Sequence, residues 1–175
     1  MKKTILALIT CPHIGNHGIN AADKIPVANP DGVSLSDGSG DSAVVRCLVQ
    51  AVKKLIGKVP IFGICPGHRM LGQALGGKTS RIKFGYHGNN HSVMDLKSRR
   101  IGIAFRNHGF VTDIDLLPKD EAGLTHTNLN DKSLGGLARR KCPPFRAQYH
   151  PENASGPHDN DYLFSRFYKL TERNA

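Results

Sequence analysis

The chain has 175 residues, of which 39% are hydrophobic and 22% charged, with no tryptophan and a formal net charge of +10. That balance suits one soluble globular domain with a real hydrophobic core, and no apolar run is long enough for a transmembrane helix. The basic residues are scattered. The one tight cluster, Arg139-Arg140-Lys141, has no interleaved aromatics, so the charge reads as a solvated or partner-facing surface rather than a nucleic-acid groove, which needs a concentrated stripe.

In chain order, the apolar stretch within Met1–Thr10 reads as a first strand over residues 4–10. It is short for a secretory signal, and Pro12-His13 follows without a small-residue cleavage site, so a cytoplasmic protein is expected. Residues 11–31 are rich in Gly, Asn, Pro and His and read as loop. Gly32–Ser36 alternates like a strand, Asp37-Gly38-Ser39-Gly40-Asp41 is a tight glycine turn, and residues 42–57 place Val44, Val45, Leu48, Val49, Val52, Leu55 and Ile56 at helical spacing, with Gly57 as the stop. A strand over 59–64 and a helix over 67–75, closed by Gly76-Gly77, complete a βαβ pattern with a parallel sheet. Two glycine-rich turns then share the sheet edge at which open α/β sheets bind ligands. Across 78–149 only Ile101–Phe105, Leu134–Leu137 and Phe145–Gln148 look strand-like between polar loops. Asp161–Leu170 reads as a closing amphipathic helix with contacts at Tyr162, Phe164, Phe167 and Leu170.

The chemistry concentrates at Cys65. Cys11, Cys47, Cys65 and Cys142 form no CxxC pair and no zinc spacing, so they read as reduced thiols. Only Cys65 has a neighbourhood that calls for sulfur: a strand runs into Gly63-Ile64-Cys65-Pro66-Gly67 and a helix follows. This is the pattern of a nucleophile elbow, in which the glycines permit a turn too tight for a Cβ and the helix start favours negative charge at the thiol. A cysteine nucleophile needs a base and an orienter for it. His150-Pro151-Glu152 offers both, because Pro151 keeps His150 extended and residues i and i+2 of an extended segment share a face. His87 and His91 are four apart, but Gly88-Asn89-Asn90 between them reads as loop rather than as a metal site.

Gly63-Ile64-Cys65-x-Gly67-His68 with the distant His150-Pro151-Glu152 resembles the class I (triad) glutamine amidotransferases. Lys83–His91, Asn107-His108-Gly109-Phe110 and Ser155-Gly156-Pro157-His158-Asp159, with Pro12–Asp23 upstream, narrow the resemblance to the carbamoyl-phosphate synthetase small-subunit family. The resemblance implies an α/β fold: an open, mostly parallel, flavodoxin-like sheet with flanking helices, here missing its first strand-helix unit. It also implies a remnant of the small subunit's N-terminal domain over 1–27 and the amidotransferase domain over 28–175. Cys65 would attack the side-chain amide of L-glutamine, His150 would shuttle protons and Glu152 would orient it. Ammonia would pass to a large subunit that itself uses ATP and bicarbonate, so no cofactor is implied for this chain, and no metal, membrane or nucleic acid.

Gly38, Gly40, Pro66, Arg69, Asn107, Gly109 and Phe110 stand at the family's substrate-contact positions. Several depart from its pattern. Pro66 replaces a leucine whose N–H is an oxyanion donor, Arg69 and Arg106 each replace a glutamine, and the glycine turn carries Asp37 and Ser39. The alternative reading that follows is a non-catalytic amidotransferase-like binding module.

Overall fold

The computed structural model describes residues 4–8, 29–35, 46–113, 117, 122–139, 144–152 and 159–173. Within them, the strands are β1 (Ile5–Leu8), β2 (Gly32–Leu35), β3 (Ile61–Ile64), β4 (Thr79–Asp95), β5 (Ile101–Thr112), β6 (Ala122–Asn128), β7 (Leu134–Arg139) and β8 (Pro144–Ala147). The helices are α1 (Arg46–Leu55), α2 (Pro66–Ala74) and α3 (Tyr162–Arg173). The strands join in one open sheet, ordered β1-β2-β3-β8-β7-β6-β4-β5.

The sheet has two halves. β1, β2, β3 and β8 are mutually parallel, with Val33 opposite Ile61 and Gly63 opposite Arg146. β7, β6, β4 and β5 continue it antiparallel. The parallel half is the one the βαβ pattern predicts. β1 occupies the place of a leading strand beside β2, and residues 9–28, where a helix after it would have to lie, are outside the described residues.

β3 shows why the parallel half reads so clearly. All four of its residues are buried, as expected for a strand covered on both faces. Ile61 joins Val33, Leu35, Val52, Leu55, Met70 and Leu71 beneath α1 and α2. Phe62 and Ile64 join Ala147, Tyr149, Leu163 and Phe167 beneath α3. α1 follows its apolar spacing, with Val52 and Leu55 buried, Lys53 and Lys54 exposed, and Gly57 (φ 87°) terminating the turn after it.

Two expectations are corrected by the sheet. His87–His91 lies not in a loop but within β4, whose register against β5 shifts between Gly88 and His91. A bulge of this kind lets a strand carry Gly and Asn, because the partner strand supplies the hydrogen bonds that local propensity disfavours. Residues 78–149 are also more strand-rich than their composition suggests, since β4 and β6 are held by cross-strand pairing rather than by apolar alternation. In α3 the deepest contacts are Leu163 and Phe167, while Phe164 is 37% exposed and meets the edge of Phe62 with ring centroids 5.6 Å apart.

α3 is pinned by a polar network. Tyr162 Oη sits 2.7 Å from His126 Nε2 and donates to Asp95 Oδ2 across 3.3 Å. Asp95 Oδ1 accepts the N–H groups of Lys97 and Ser98, fixing the β4–β5 turn. Asp159, the last residue of the Ser155–Asp159 motif, accepts the N–H of Ile103, and the Asn160 amide donates to the Ile103 carbonyl.

Candidate active site

The nucleophile elbow forms as the glycine spacing requires. Cys65 links β3 to α2 with φ 47° and ψ −100°, a conformation that non-glycine residues adopt at a cost of about 1–3 kcal/mol and that clusters at functional sites. A Cβ on Gly63 would lie 2.7 Å from the Gly67 carbonyl oxygen, and one on Gly67 would lie 2.4 Å from the Leu35 carbonyl oxygen. Both are closer than atoms can approach, so the crossing of strand, helix and β2 is built on bare backbone. The Cys65 thiol is buried. Pro66 is the first residue of α2 and is itself buried. Its fixed φ suits a helix start, where an N–H has no intrahelical acceptor in any case.

β8 leads directly to the second half of the site. His150 follows its end and bridges to Phe105 of β5, whose carbonyl accepts the His150 N–H across 3.0 Å. The Phe105 ring stands 5.4 Å from the imidazole. Glu152 Oε1 is 2.9 Å from His150 Nδ1, so the carboxylate fixes the proton on Nδ1 and leaves Nε2 for the hydrogen bond with Cys65. Burial pulls the imidazole toward its neutral form. The hydrogen bonds to Cys65 and Glu152 and their charges outweigh it and raise His150 to about 10. The imidazole is therefore protonated at neutral pH and faces the sulfur as a cation. Residues distant in sequence thus converge: thiol, imidazole and carboxylate stand in one line of contact.

The other candidates fall around this line. Arg69, one turn into α2, is buried with its guanidinium 5.5 Å over the Phe110 ring. Among the described residues, a Cβ on Gly109 would meet no heavy atom within 4 Å, so they leave the space beside Phe110 open. Asn107 is exposed, with its side-chain oxygen 2.8 Å from His87 Nδ1, and it is two residues along β5 from Phe105. Gly38 and Gly40, with Asp37 and Ser39, lie outside the described residues, as do Cys11, Cys142 and the whole of Pro12–Asp23.

Three residues, Phe105, Arg146 and Gln148, escape the motif reading, and Arg106, read there only as a replacement for glutamine, shows its contacts here. Phe105 positions His150 through its backbone and ring, and no local sequence signal marks it. Arg106, fully buried, reaches Ser133 Oγ at 2.9 Å and the Leu134 carbonyl at 2.7 Å and stacks 4.4 Å from the Tyr86 ring centroid. Burial lowers its affinity for its proton, and the nearby Tyr86, Asp131 and Cys65 partly restore it. Arg146 and Gln148 are buried on the strand leading into His150. Their only signal in the sequence is alternation with Phe145, Ala147 and Tyr149.

Comparison with known proteins bears on the family and the fold. The family model for Glutamine amidotransferase class-I matches residues 13–170. The chain is 48% identical over 153 residues to a carbamoyl phosphate synthase small chain, chloroplastic, from Oryza sativa subsp. japonica, covering 87% of this chain and 34% of that protein. It is 50% identical over 149 residues to the carbamoyl phosphate synthase small chain of Akkermansia muciniphila, covering 85% of this chain and 40% of that protein. It therefore spans well under half the length of these relatives. Among solved structures, a glutamine amidotransferase from Thermotoga maritima superposes with a TM-score of 0.66 over 99% of this chain and 91% of its own, at 18% identity. At that identity the likeness bears on the fold alone.

Proposed function

The chain belongs to the class I glutamine amidotransferases, and on that premise we propose that it hydrolyses L-glutamine to supply ammonia, as the amidotransferase part of a carbamoyl-phosphate synthase small chain. The observation that carries this reading is the contact line Cys65–His150–Glu152. The Cys65 sulfur, paired with protonated His150, attacks the side-chain amide carbon. His150 passes its proton to the departing nitrogen, so ammonia leaves and a glutamyl thioester remains on Cys65. His150, now neutral, takes a proton from water, whose oxygen attacks the thioester, and glutamate is released with the thiol restored. Glu152 holds the imidazole in the one orientation that serves both steps. Arg69, Phe110, Gly109 and Asn107, with Gly38 and Gly40, are the residues assigned to glutamine.

The partner on this reading is a large subunit that consumes the ammonia together with ATP and bicarbonate, and no cofactor belongs to this chain. Domain limits of 1–27 and 28–175 accompany the proposal. No helix among the described residues is long and apolar enough to cross a membrane.

A second reading, a non-catalytic binding module, is favoured by one feature: Pro66 has no N–H at the elbow. Ammonia release from glutamine by the purified chain, against Cys65→Ala as the blank, separates the two. Release above the blank supports the hydrolase. A folded chain that matches the blank, and still forms a complex with the large subunit, supports the module.

A further inference from the structure

One face of β5 runs along α2 toward the nucleophile. Ala104, Arg106, His108, Phe110 and Thr112 alternate onto that face. Thr112 lies against Gly72, where an added Cβ would come within 2.6 Å of its methyl group. Phe110 lies under the Arg69 guanidinium, one turn closer to the elbow. Ala104 shares an apolar cluster with Cys65 and Tyr149. Arg106 falls between these contacts, so the face brings it to the Cys65 end of α2. The bridge between Phe105 and His150 fixes it from the other direction. In an antiparallel pair the next residues, Arg106 and Tyr149, are then neighbours across the strands.

Arg106 is clamped in this position. The two oxygens that accept from its terminal nitrogens, Ser133 Oγ and the Leu134 carbonyl, are both neutral, so they fix the guanidinium without cancelling its charge. Asp131, in the turn after β6, is hydrogen-bonded to the Tyr86 hydroxyl and to the Ser133 N–H. The charge of Arg106 is felt across several elements. Burial pushes His68 of α2, His91 of β4 and His108 of β5 toward their neutral forms, and Arg106 adds to that push on each. Burial also works against the charge of Arg106 itself, while Tyr86, Asp131, Cys65 and Tyr149 support it. Such coupling is reciprocal. If negative charge at Cys65 favours the proton on Arg106, Arg106 equally favours negative charge at Cys65. The other cation at the sulfur is His150, backed by Glu152. The helix start adds less than usual, because Pro66 has no N–H.

We propose that Arg106 is a positioning residue for the nucleophile: clamped by Ser133 and Leu134, its guanidinium supplies a second, fixed positive charge that favours the ionised sulfur of Cys65. The inference rests on Cys65 being the nucleophile of the hydrolase reading and deepens it. In that reading His150 gives its proton to the departing nitrogen and takes another from water. Arg106 keeps its proton throughout. It therefore stabilises the sulfur both before attack and when it leaves the thioester as a thiolate. The glutamine that Arg106 replaces carries no charge and could not do this.

The test is titration of the Cys65 sulfur in the full chain without glutamine, followed by NMR of protein labelled with carbon-13 at cysteine Cβ. The Cys65 signal is the one absent from Cys65→Ala. Turnover plays no part, so a chain that releases no ammonia still gives a result, and failure of the hydrolase reading is seen separately. In Arg106→Gln the ionisation midpoint is expected to rise by about one pH unit, a roughly tenfold lower ratio of thiolate to thiol at a given pH. Arg106→Lys keeps a positive charge and should recover most of that shift. Arg106→Met is the second neutral variant, read in place of Arg106→Gln if circular dichroism shows the latter unfolded. The other titrating groups around the sulfur are the same in every variant, so the difference belongs to Arg106. An unchanged midpoint in the folded neutral variant overturns the proposal. An equal rise in Arg106→Lys overturns it too, because packing rather than charge would then be responsible.

Discussion

The backbone N–H of Cys65 donates to the carbonyl of Ala147 across 2.9 Å. This bond ties the nucleophile to β8, the same strand that delivers His150, and so sets the thiol–imidazole geometry through main chain. It also commits the Cys65 amide elsewhere. With Pro66 lacking an N–H, the elbow's first two residues contribute no hydrogen-bond donor to an oxyanion.

Pro66→Leu restores that donor at the first position of α2. Loss of one oxyanion donor typically lowers kcat by about 10²–10³-fold, so the variant is expected to release ammonia faster than the parent by up to about that factor. Equal rates in steady-state assays would show that the missing N–H is not what limits the chemistry.

Gly67→Ala and Gly109→Ala should behave oppositely. A Cβ at Gly67 would collide with the Leu35 carbonyl, so Gly67→Ala is expected to lower stability by several kcal/mol and to displace the nucleophile. A Cβ at Gly109 meets no heavy atom of the described residues within 4 Å. Gly109→Ala should leave the unfolding midpoint unchanged and raise KM for glutamine if the open space beside it receives substrate. Chemical denaturation and a glutamine titration read the two effects.

Stability should fall on acidification below about pH 6.5. Burial, with the surrounding positive charges, lowers His108 to about 3, and burial lowers His126 to about 4 against the opposing pull of Asp95. Each is neutral when folded and takes up a proton when unfolded. Between the folded and unfolded values the unfolded chain binds more protons, so stability rises with pH, by about 1.4 kcal/mol per unit for each such histidine. Denaturant melts from pH 3 to 7 measure the slope, which His126→Gln should reduce.

The alkaline limb has the opposite sign. His150 is raised, so the folded chain binds its proton more tightly than the unfolded one. That contribution is complete below about pH 6.5 and is lost as pH climbs toward 10. In Glu152→Gln, which removes one source of the shift, the decline of the melting midpoint across this window should be shallower than in the parent chain.

Tyr162→Phe removes the hydroxyl that joins His126 and Asp95. Leaving those buried groups without it should destabilise by about 1–3 kcal/mol. Ammonia release per folded molecule should be unaltered, because the Tyr162 hydroxyl bonds to His126 and Asp95 rather than to the Cys65–His150–Glu152 line.

How much of this was written in the chain follows from the range over which each signal acts. The βαβ unit, the elbow and the amphipathic α3 were legible because strand burial, glycine contacts and helical periodicity are properties of short windows. The pairing of His150 with Glu152 was legible for the same reason, as two neighbours on one extended face. β4 and β6 were not, because Gly, Asn and His in them are tolerated only once partner strands complete their hydrogen bonds. Nor could the sequence bring Cys65 to His150, 85 positions apart, or assign Phe105 its role. Those depend on β8 inserting between β3 and β7, a choice made by packing across the whole sheet. The same insertion turned Arg146 and Gln148 inward: which face of a strand is buried, and against what, is settled only when every layer of the molecule is in place.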